Sequence, residues 1–301
     1  MPAITIILPV YNGENTIAET VKSLLAQTFT DFELLVCIDG TNDKSEQIVR
    51  AFDDKRISVL KNEQNMGLAR TLNRLIAHSA AEARYVAMAE QDDYYYPERL
   101  KLQYDCMEQN KDVGMVSGIS EFYDGAKVTS KFPGILVSGG NYPENHKENF
   151  LLNYVHQVKV VNSCMMIRKS VHINNGLYWS MHYPSISVDW CYILRFSLVS
   201  KIKGINQPLV RLDRRSSRQS LTSQKTKQFD AARELIRSFY YERKDLISPA
   251  DYKKAMTTQH LLELGHKTYT QAIPSFLQFY FANPSDNRWG AFVKKKFLRM
   301  K

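Results

Sequence analysis

The chain has 301 residues, 44% hydrophobic and 24% charged, with a formal net charge of +9. That balance excludes a disordered or fibrous polypeptide, and no apolar run reaches the roughly 18 residues that a membrane-spanning helix needs. The positive charge is local: residues 195–227 hold nine Lys and Arg against the single acid Asp213, and residues 288–301 hold six against none, so diffuse nucleic-acid affinity does not follow from it.

In chain order, the runs AITIILPVY, FELLVCID, RISVLKN, RYVAMAE and VGMVSGISEFY read as strands. Helical patterns lie between them at about 14–27, 43–52, 68–79 and 97–110. Strands separated by helices of this length predict βαβ units and a mainly parallel sheet flanked by helices, an α/β fold. Ligands of such sheets bind beyond the carboxyl ends of the strands, which directs attention to Tyr11, Asn12, 39–43, Asn65 and the pair Asp92–Asp93. Pro97 suits the first turn of the fourth helix. From 126 to 150 the chain reads as a long loop. NSCMMIRKSV is a further strand entering a helix or turn, SVDWCYILRFSLVS is helical and KGINQPLVRL reads as an edge strand. Beyond Lys225 the pattern is helical, with Pro249 opening one helix and a basic helix at the end.

Four scattered cysteines (Cys37, Cys106, Cys164, Cys191) form no CxxC pair and read as reduced buried thiols. No histidine spacing points to zinc. The opening MPAITIILPVYN begins directly on a strand pattern without a basic leader, so no signal peptide and a cytoplasmic location are expected.

The stretch AEQDDYYYPERL ends a buried strand in adjacent carboxylates, which repel one another unless a positive group sits beside them. A divalent cation would answer that need. Read alone, the same acids could equally form a turn that caps the next helix.

Five stretches in this order, ILPVYNGENTIAETVKSLLAQTFTDFELLVCIDGTND, NEQNMGLARTLNRLI, AEQDDYYYPERL, NSCMMIRKSV and SVDWCYILRF, resemble the family 2 glycosyltransferases with the GT-A fold. The resemblance covers roughly residues 3–222. It implies a GT-A (Rossmann-like) domain over 1–222, with a nucleotide-binding half of about 1–125 and an acceptor half of about 126–222, and a helical C-terminal extension over 223–301. It implies an inverting, metal-dependent transfer of sugar from a nucleoside-diphosphate sugar, a UDP-sugar first among them, to the hydroxyl of a glycan or lipid-linked acceptor in surface-polysaccharide biosynthesis.

By the same resemblance Asp92 is the direct ligand of Mn²⁺ or Mg²⁺, Asp93 supports the donor sugar or orients the site, and Glu90 contacts the donor sugar or ribose. Asp39 reads the base; the family usually has two adjacent acids there, and this chain has Ile38 in the first position. Pro9 and Tyr11 lie in the first loop, where Tyr11 meets the base. Glu14 takes the ribose or caps the next helix, and Arg70 reaches the base or diphosphate or is an ordinary surface arginine. Asp189 takes the place of the catalytic base, although Ser187 or Asp189 would also suit a helix N-cap; Trp190 and Arg195 are candidate walls of the acceptor pocket. Arg214, Arg215 and Arg218 are candidate phosphate contacts in RLDRRSSRQSLT, or members of a solvated loop. Two rival readings are a nucleotidyltransferase, for which PVYNGENT offers no glycine-rich basic loop, and a non-catalytic carbohydrate- or nucleic-acid-binding protein. Trp289, Phe292, Val293 and Phe297 share one helix face, which suits peripheral contact of 288–301 with the inner face of the cell membrane or packing on the protein body.

Overall fold

The computed structural model describes residues 2–182, 187–215, 225–282, 284 and 286–297. The chain divides into two compact units, Met1–Phe150 with Val158–Ser223, and Leu151–Gln157 with Gln224–Lys301.

The first unit opens with β1 (Ile4–Val10), α1 (Ile17–Leu25), β2 (Phe32–Asp39), α2 (Ser45–Arg50), β3 (Ile57–Asn62), α3 (Leu68–Ala77) and β4 (Tyr85–Met88). β1 lies between β2 and β4 and is parallel to both, with Ile4 opposite Phe32 and Tyr85. β3 adds in parallel outside β2. The cores of β1, β2 and β4 are nearly continuous apolar runs because helices cover both faces of a parallel sheet. α1 buries Ile17, Thr20, Val21, Ser23 and Leu24, a stripe at helical spacing that includes two hydroxyls.

The chain continues through β5 (Asp93–Tyr95), α4 (Arg99–Gln109), β6 (Val113–Tyr123), β7 (Val128–Phe132), α5 (Gly134–Val137), α6 (His146–Val155), β8 (Met166–Arg168), α7 (Lys169–Asn174), α8 (Val188–Ser197) and β9 (Lys201–Asp213). Among the described residues nine strands form one sheet in the order β3-β2-β1-β4-β8-β6-β9-β5, with β7 on β6. β8 is antiparallel to both β4 and β6, β9 is parallel to β6, and β5 is antiparallel to β9. The first half of the sheet is therefore parallel and the second mixed.

Three sequence expectations need correction. The helix expected from Pro97 begins at Arg99, because Asp93–Tyr95 extend to pair with β9 and the chain must first turn; the N–H of Arg99 returns to the Tyr96 carbonyl at 3.0 Å. The stretch KGINQPLVRL is paired on both sides, with β6 along its length and with β5 at Val210–Leu212. Pro208 is accommodated there because the register shifts around Ile119, which it faces. The region 126–150 is no continuous loop, since β7 forms a hairpin with β6 and two helices follow.

The second unit contains α9 (Lys225–Glu242), α10 (Pro249–His266), α11 (Tyr269–Ala282) and α12 (Arg288–Phe297). Pro249 opens α10 as expected, and Ser248 and Asp251 exchange the bonds of a capping box. The rings of Tyr240 and Tyr252 stack with centroids 4.4 Å apart, joining α9 to α10. Trp289 is buried against Phe276 and Tyr280 of α11, and Phe292 stacks on Phe276. Of the apolar face of α12, Trp289 and Phe292 are thus engaged in packing within their own unit. The side chain of Phe297 lies outside the described residues. No helix among them is long and apolar enough to cross a membrane.

Candidate functional site

The turn after β4 gathers the acids. α1 holds it in place: the Thr20 hydroxyl bonds the carbonyls of Gln91 and Asp93 at 2.9 and 2.8 Å, and Ser23 Oγ accepts the Tyr95 N–H at 3.1 Å. Just past the end of α1, Gln27 donates to the Tyr96 carbonyl and accepts the N–H of Leu100, so its side chain caps the start of α4. Thr20 and Ser23, i and i+3 on α1, and Gln27 just past its end turn polar side chains inward toward the acidic turn.

Beneath this turn lies Arg99, fully buried. Its guanidinium donates to the carbonyls of Met88 and Met165 at 2.7 and 3.2 Å and sits 4.6 Å from the centre of the Tyr95 ring. Above it the carboxyls crowd. Burial first, then the charge of Asp92 and that of Asp189, push Glu90 up to about 7, against the opposing pull of the Asn162 amide and Arg214. Asp93 is held well above the usual carboxylate range by burial, then by Glu90 and Asp92. Glu90 accepts from Asn162 Nδ2 at 2.9 Å. Asp92 and Asp93 line a small pocket with Thr16, Glu19, Tyr94 and Arg211.

The first loop is tied to this turn by Gln91. Its side chain accepts the Tyr11 N–H at 2.8 Å and donates to the Tyr11 carbonyl at 2.9 Å. Gly13 makes room for it, since a Cβ there would meet Gln91 Oε1 at 2.7 Å. The Tyr11 side chain stays exposed, while Pro9, opposite Cys37 in β1, is half-buried. Glu14 does not cap α1; its carboxylate accepts the N–H of Lys44 at 3.1 Å, and its own N–H goes to Asp43. Burial raises the Asp43 carboxyl, but the hydroxyls of Ser45 and Thr41 and two backbone N–H groups outweigh it and bring the group down to about 2.

Asp39 ends β2 and is buried. Oδ1 accepts from Asn62 Nδ2 at 2.7 Å and the Met66 N–H at 2.8 Å, and Oδ2 from the Gly67 N–H at 3.1 Å. The loop 63–67 folds back so closely that a Cβ on Gly40 would lie 2.2 Å from the Asn65 nitrogen, and Gly40 has φ +65°. Asp39 therefore organises the loop, and a carboxylate with about four acceptor positions retains one on Oδ2. Arg70 is exposed on the first turn of α3.

Asp189 stands in the first turn of α8, half-buried, its carboxyl raised by burial, with Oδ1 accepting the Trp190 N–H at 2.8 Å. Ser187 is the N-cap but makes no side-chain cap bond. The charge of Asp189 acts on Glu90, which brings the end of β4 and the start of α8 to one site. Trp190 is buried in the packing of α8, and Arg195 is half-buried in its last turn. Behind Asp189, Tyr192 stacks on Trp179 with centroids 4.2 Å apart, and Asn73 of α3 exchanges two hydrogen bonds with the Trp179 backbone.

Of the basic candidates, Arg214 is exposed at the end of β9, and its charge acts on both Glu90 and Asp93. Arg215 is committed to Asp213 through an ion pair of 2.6 Å. Arg218 lies outside the described residues. Arg211, which sequence reasoning missed, sits between the rings of Tyr94 and Tyr123, 4.6 Å from each centre. The alternation of Arg211 and Asp213 about buried Leu212 was its signal.

The donor set suits a hard divalent cation. Repelling carboxyls stand together, and Asp93 Oδ2 is buried without a hydrogen-bond partner among the described residues. Among those residues no three His, Cys, Asp or Glu side chains form a ready cage. Mg²⁺ characteristically takes one or two carboxylates and completes its shell with phosphate oxygens and water.

A parallel α/β half ending in an acidic turn, joined to a mixed half that brings a further carboxylate to it, defines a GT-A architecture of the sugar-nucleotide type. The chain belongs to glycosyl transferase family 2, whose model matches residues 5–175. It is 33% identical over 129 residues to UDP-Glc:alpha-D-GlcNAc-diphosphoundecaprenol beta-1,3-glucosyltransferase WfgD of Escherichia coli, covering 43% of this chain and 50% of that protein. It is 34% identical over 111 residues to WfaP of the same organism, an enzyme with the same descriptive name, covering 37% and 43%. The chain spans about half the length of the curated relatives it matches.

Among solved structures, S. aureus TarS 1–349 in complex with UDP superposes with a TM-score of 0.66 at 20% identity, over 97% of this chain and 83% of that one. The mannosyltransferase PcManGT of Pyrobaculum calidifontis, in complex with GDP-Man and Mn²⁺, gives 0.59 at 15% identity, over 98% and 79%. These likenesses are likenesses of fold.

Proposed function

We propose that the chain transfers a sugar, with inversion, from a UDP-sugar to a hydroxyl of a glycan or lipid-linked acceptor during surface-polysaccharide assembly, on the cytoplasmic side of the membrane. The observation that carries this reading is the convergence of Glu90, Asp92, Asp93 and Asp189, from the turn after β4 and the first turn of α8, on one site: burial and the neighbouring carboxylates raise the proton affinity of Glu90 and Asp93, and burial raises that of Asp189. Names of relatives that use UDP-Glc and an undecaprenyl-linked sugar support the choice of donor and acceptor class.

In this reading Asp92 holds Mn²⁺ or Mg²⁺, with Asp93 beside it. When bound, the cation neutralises charge that develops on the departing diphosphate. Asp39, Pro9, Tyr11, Glu14 and Arg70 belong to the nucleotide half of about 1–125, with Tyr11 against the base. Glu90 serves the donor sugar or ribose, and the basic stretch of Arg214, Arg215 and Arg218 is assigned to the phosphates, Arg215 by exchanging its Asp213 partner for them. Asp189 takes the proton of the acceptor hydroxyl; that oxygen attacks the anomeric carbon as its bond to the diphosphate oxygen breaks, and nucleoside diphosphate leaves. Attack from the opposite face gives a β-linkage from an α-linked donor. Residues 126–222 form the acceptor half and 223–301 the helical extension.

The test is release of nucleoside diphosphate from a panel of UDP-, GDP- and dTDP-sugars, with Mn²⁺ and with EDTA, against undecaprenyl-diphosphate-linked and free glycan acceptors. Turnover of a UDP-sugar that stops with EDTA is expected; inertness toward every donor and acceptor would overturn the reading.

A further inference from the structure

α11 carries no charged residue, yet it exposes Ile273, Leu277 and Phe281 at i, i+4 and i+8, with Phe281 74% and Leu277 45% exposed. At 1.5 Å per residue the three form a stripe about 12 Å long on one helix face. Phe276 and Tyr280 alternate with them along the helix, and these two rings carry Trp289 of α12. α12 therefore borders the exposed stripe. The segment it begins, 288–301, holds six Lys and Arg and no acid, and residues 224–301 hold fifteen Lys and Arg against seven Asp and Glu.

We infer that the α11 stripe, flanked by α12, is a docking surface for an anionic lipid bilayer. An uncharged helix with large apolar side chains outward and a basic helix at its shoulder is the arrangement that enters the boundary between headgroups and acyl chains while cations meet anionic headgroups. A second copy of this chain fits poorly, because two-fold packing across α11 would bring two α12 segments of like charge together. The surface replaces the Trp289 face as the apolar contact, since Trp289 is already buried. α11, at 14 residues, is too short to span the bilayer and would lie in its plane.

The experiment is co-sedimentation of the full chain with phosphatidylcholine vesicles, alone or with roughly a third phosphatidylglycerol, comparing wild type with Leu277→Ser/Phe281→Ser. Both positions are exposed, so an unchanged melting temperature is expected and confirms that the variant is folded. Wild type is expected to pellet with the anionic vesicles only and to be released by salt, and the double variant to partition about tenfold less or weaker still. Equal pelleting of wild type and a folded double variant would overturn the inference. So would wild type that ignores anionic vesicles, or light scattering that shows a dimer which the double substitution converts to monomer. If the double variant melts early, Phe281→Ser alone replaces it, with the same expected and contrary results.

Discussion

Gln91 and Tyr11, 80 residues apart, are joined by two hydrogen bonds in which the Gln91 amide both accepts from and donates to the Tyr11 backbone. The pair fixes the first loop to the acidic turn, so the Tyr11 ring, proposed to meet the base, and the Asp92 carboxylate, proposed to hold the metal, are tied together. Gln91→Ala removes both bonds and is expected to weaken UDP binding several-fold, the equivalent of on the order of 1 kcal/mol. Calorimetric titration of UDP in Mn²⁺ checks this; an unchanged affinity would mean that the clamp has no bearing on the nucleotide.

Asp92→Ala should abolish most of the gain in UDP affinity that Mn²⁺ or Mg²⁺ confers, leaving binding close to that of wild type in EDTA. The comparison needs four titrations, two proteins with and without metal. Wild type that binds UDP equally in EDTA would remove the metal from the account.

Arg99 is expected to matter for stability. It is fully buried and holds the carbonyls of Met88 and Met165, which end β4 and enter β8. Arg99→Met fills much of the space but leaves those acceptors short of donors, at a cost of about 2–4 kcal/mol in unfolding free energy. Urea denaturation reads it directly, and a loss below the error of the method would contradict the role given to Arg99.

Much of the fold was legible in local pattern. The apolar runs of β1, β2 and β6 and the one-sided periodicity of α1 and α3 name their elements because each run is sustained, β4 is short but buried apolar throughout, and α10 is marked by Ser248 and Pro249 at its start. β5 was hidden because Asp93–Tyr95 has three residues, and its pairing with β9 depends on a strand more than a hundred positions away. The candidate acids of the turn and Asp189 could be named from motif order. The repulsion within the turn followed from adjacency, but the action of Asp189 on Glu90 could not be read, since it joins chain segments that meet only when folded. Gln91 escaped notice for the same reason: an amide between two acids has no meaning until Tyr11 is opposite. Asp39 shows the converse, a motif residue whose carboxylate the fold employs on its own loop through Asn62, Met66 and Gly67.

Burial pushes His172 down from 6.5 to about 4, beside Tyr192, whose hydroxyl lies 2.9 Å from Nδ1. In the folded chain the ring stays neutral where the unfolded chain would take a proton. Its contribution is fully present above pH 6.5 and falls as pH drops from there toward about 4, by up to about 1.4 kcal/mol per pH unit. His172→Gln lacks this titration, so the stability difference between wild type and variant should shift steadily in the variant's favour between those limits. Parallel stability curves across the range would show that His172 is not held neutral.

The central claim rests on Asp189, and the most direct measurement is the transfer rate of Asp189→Asn beside its affinity for UDP. Asparagine keeps the shape and the oxygen that accepts the Trp190 N–H, so binding and melting temperature should stay near wild type. It cannot take a proton from the acceptor, so transfer should fall by about 10²–10⁴-fold. Transfer at a rate close to wild type, with UDP still bound, would contradict the account and leave Asp189 as a helix-terminal residue alone.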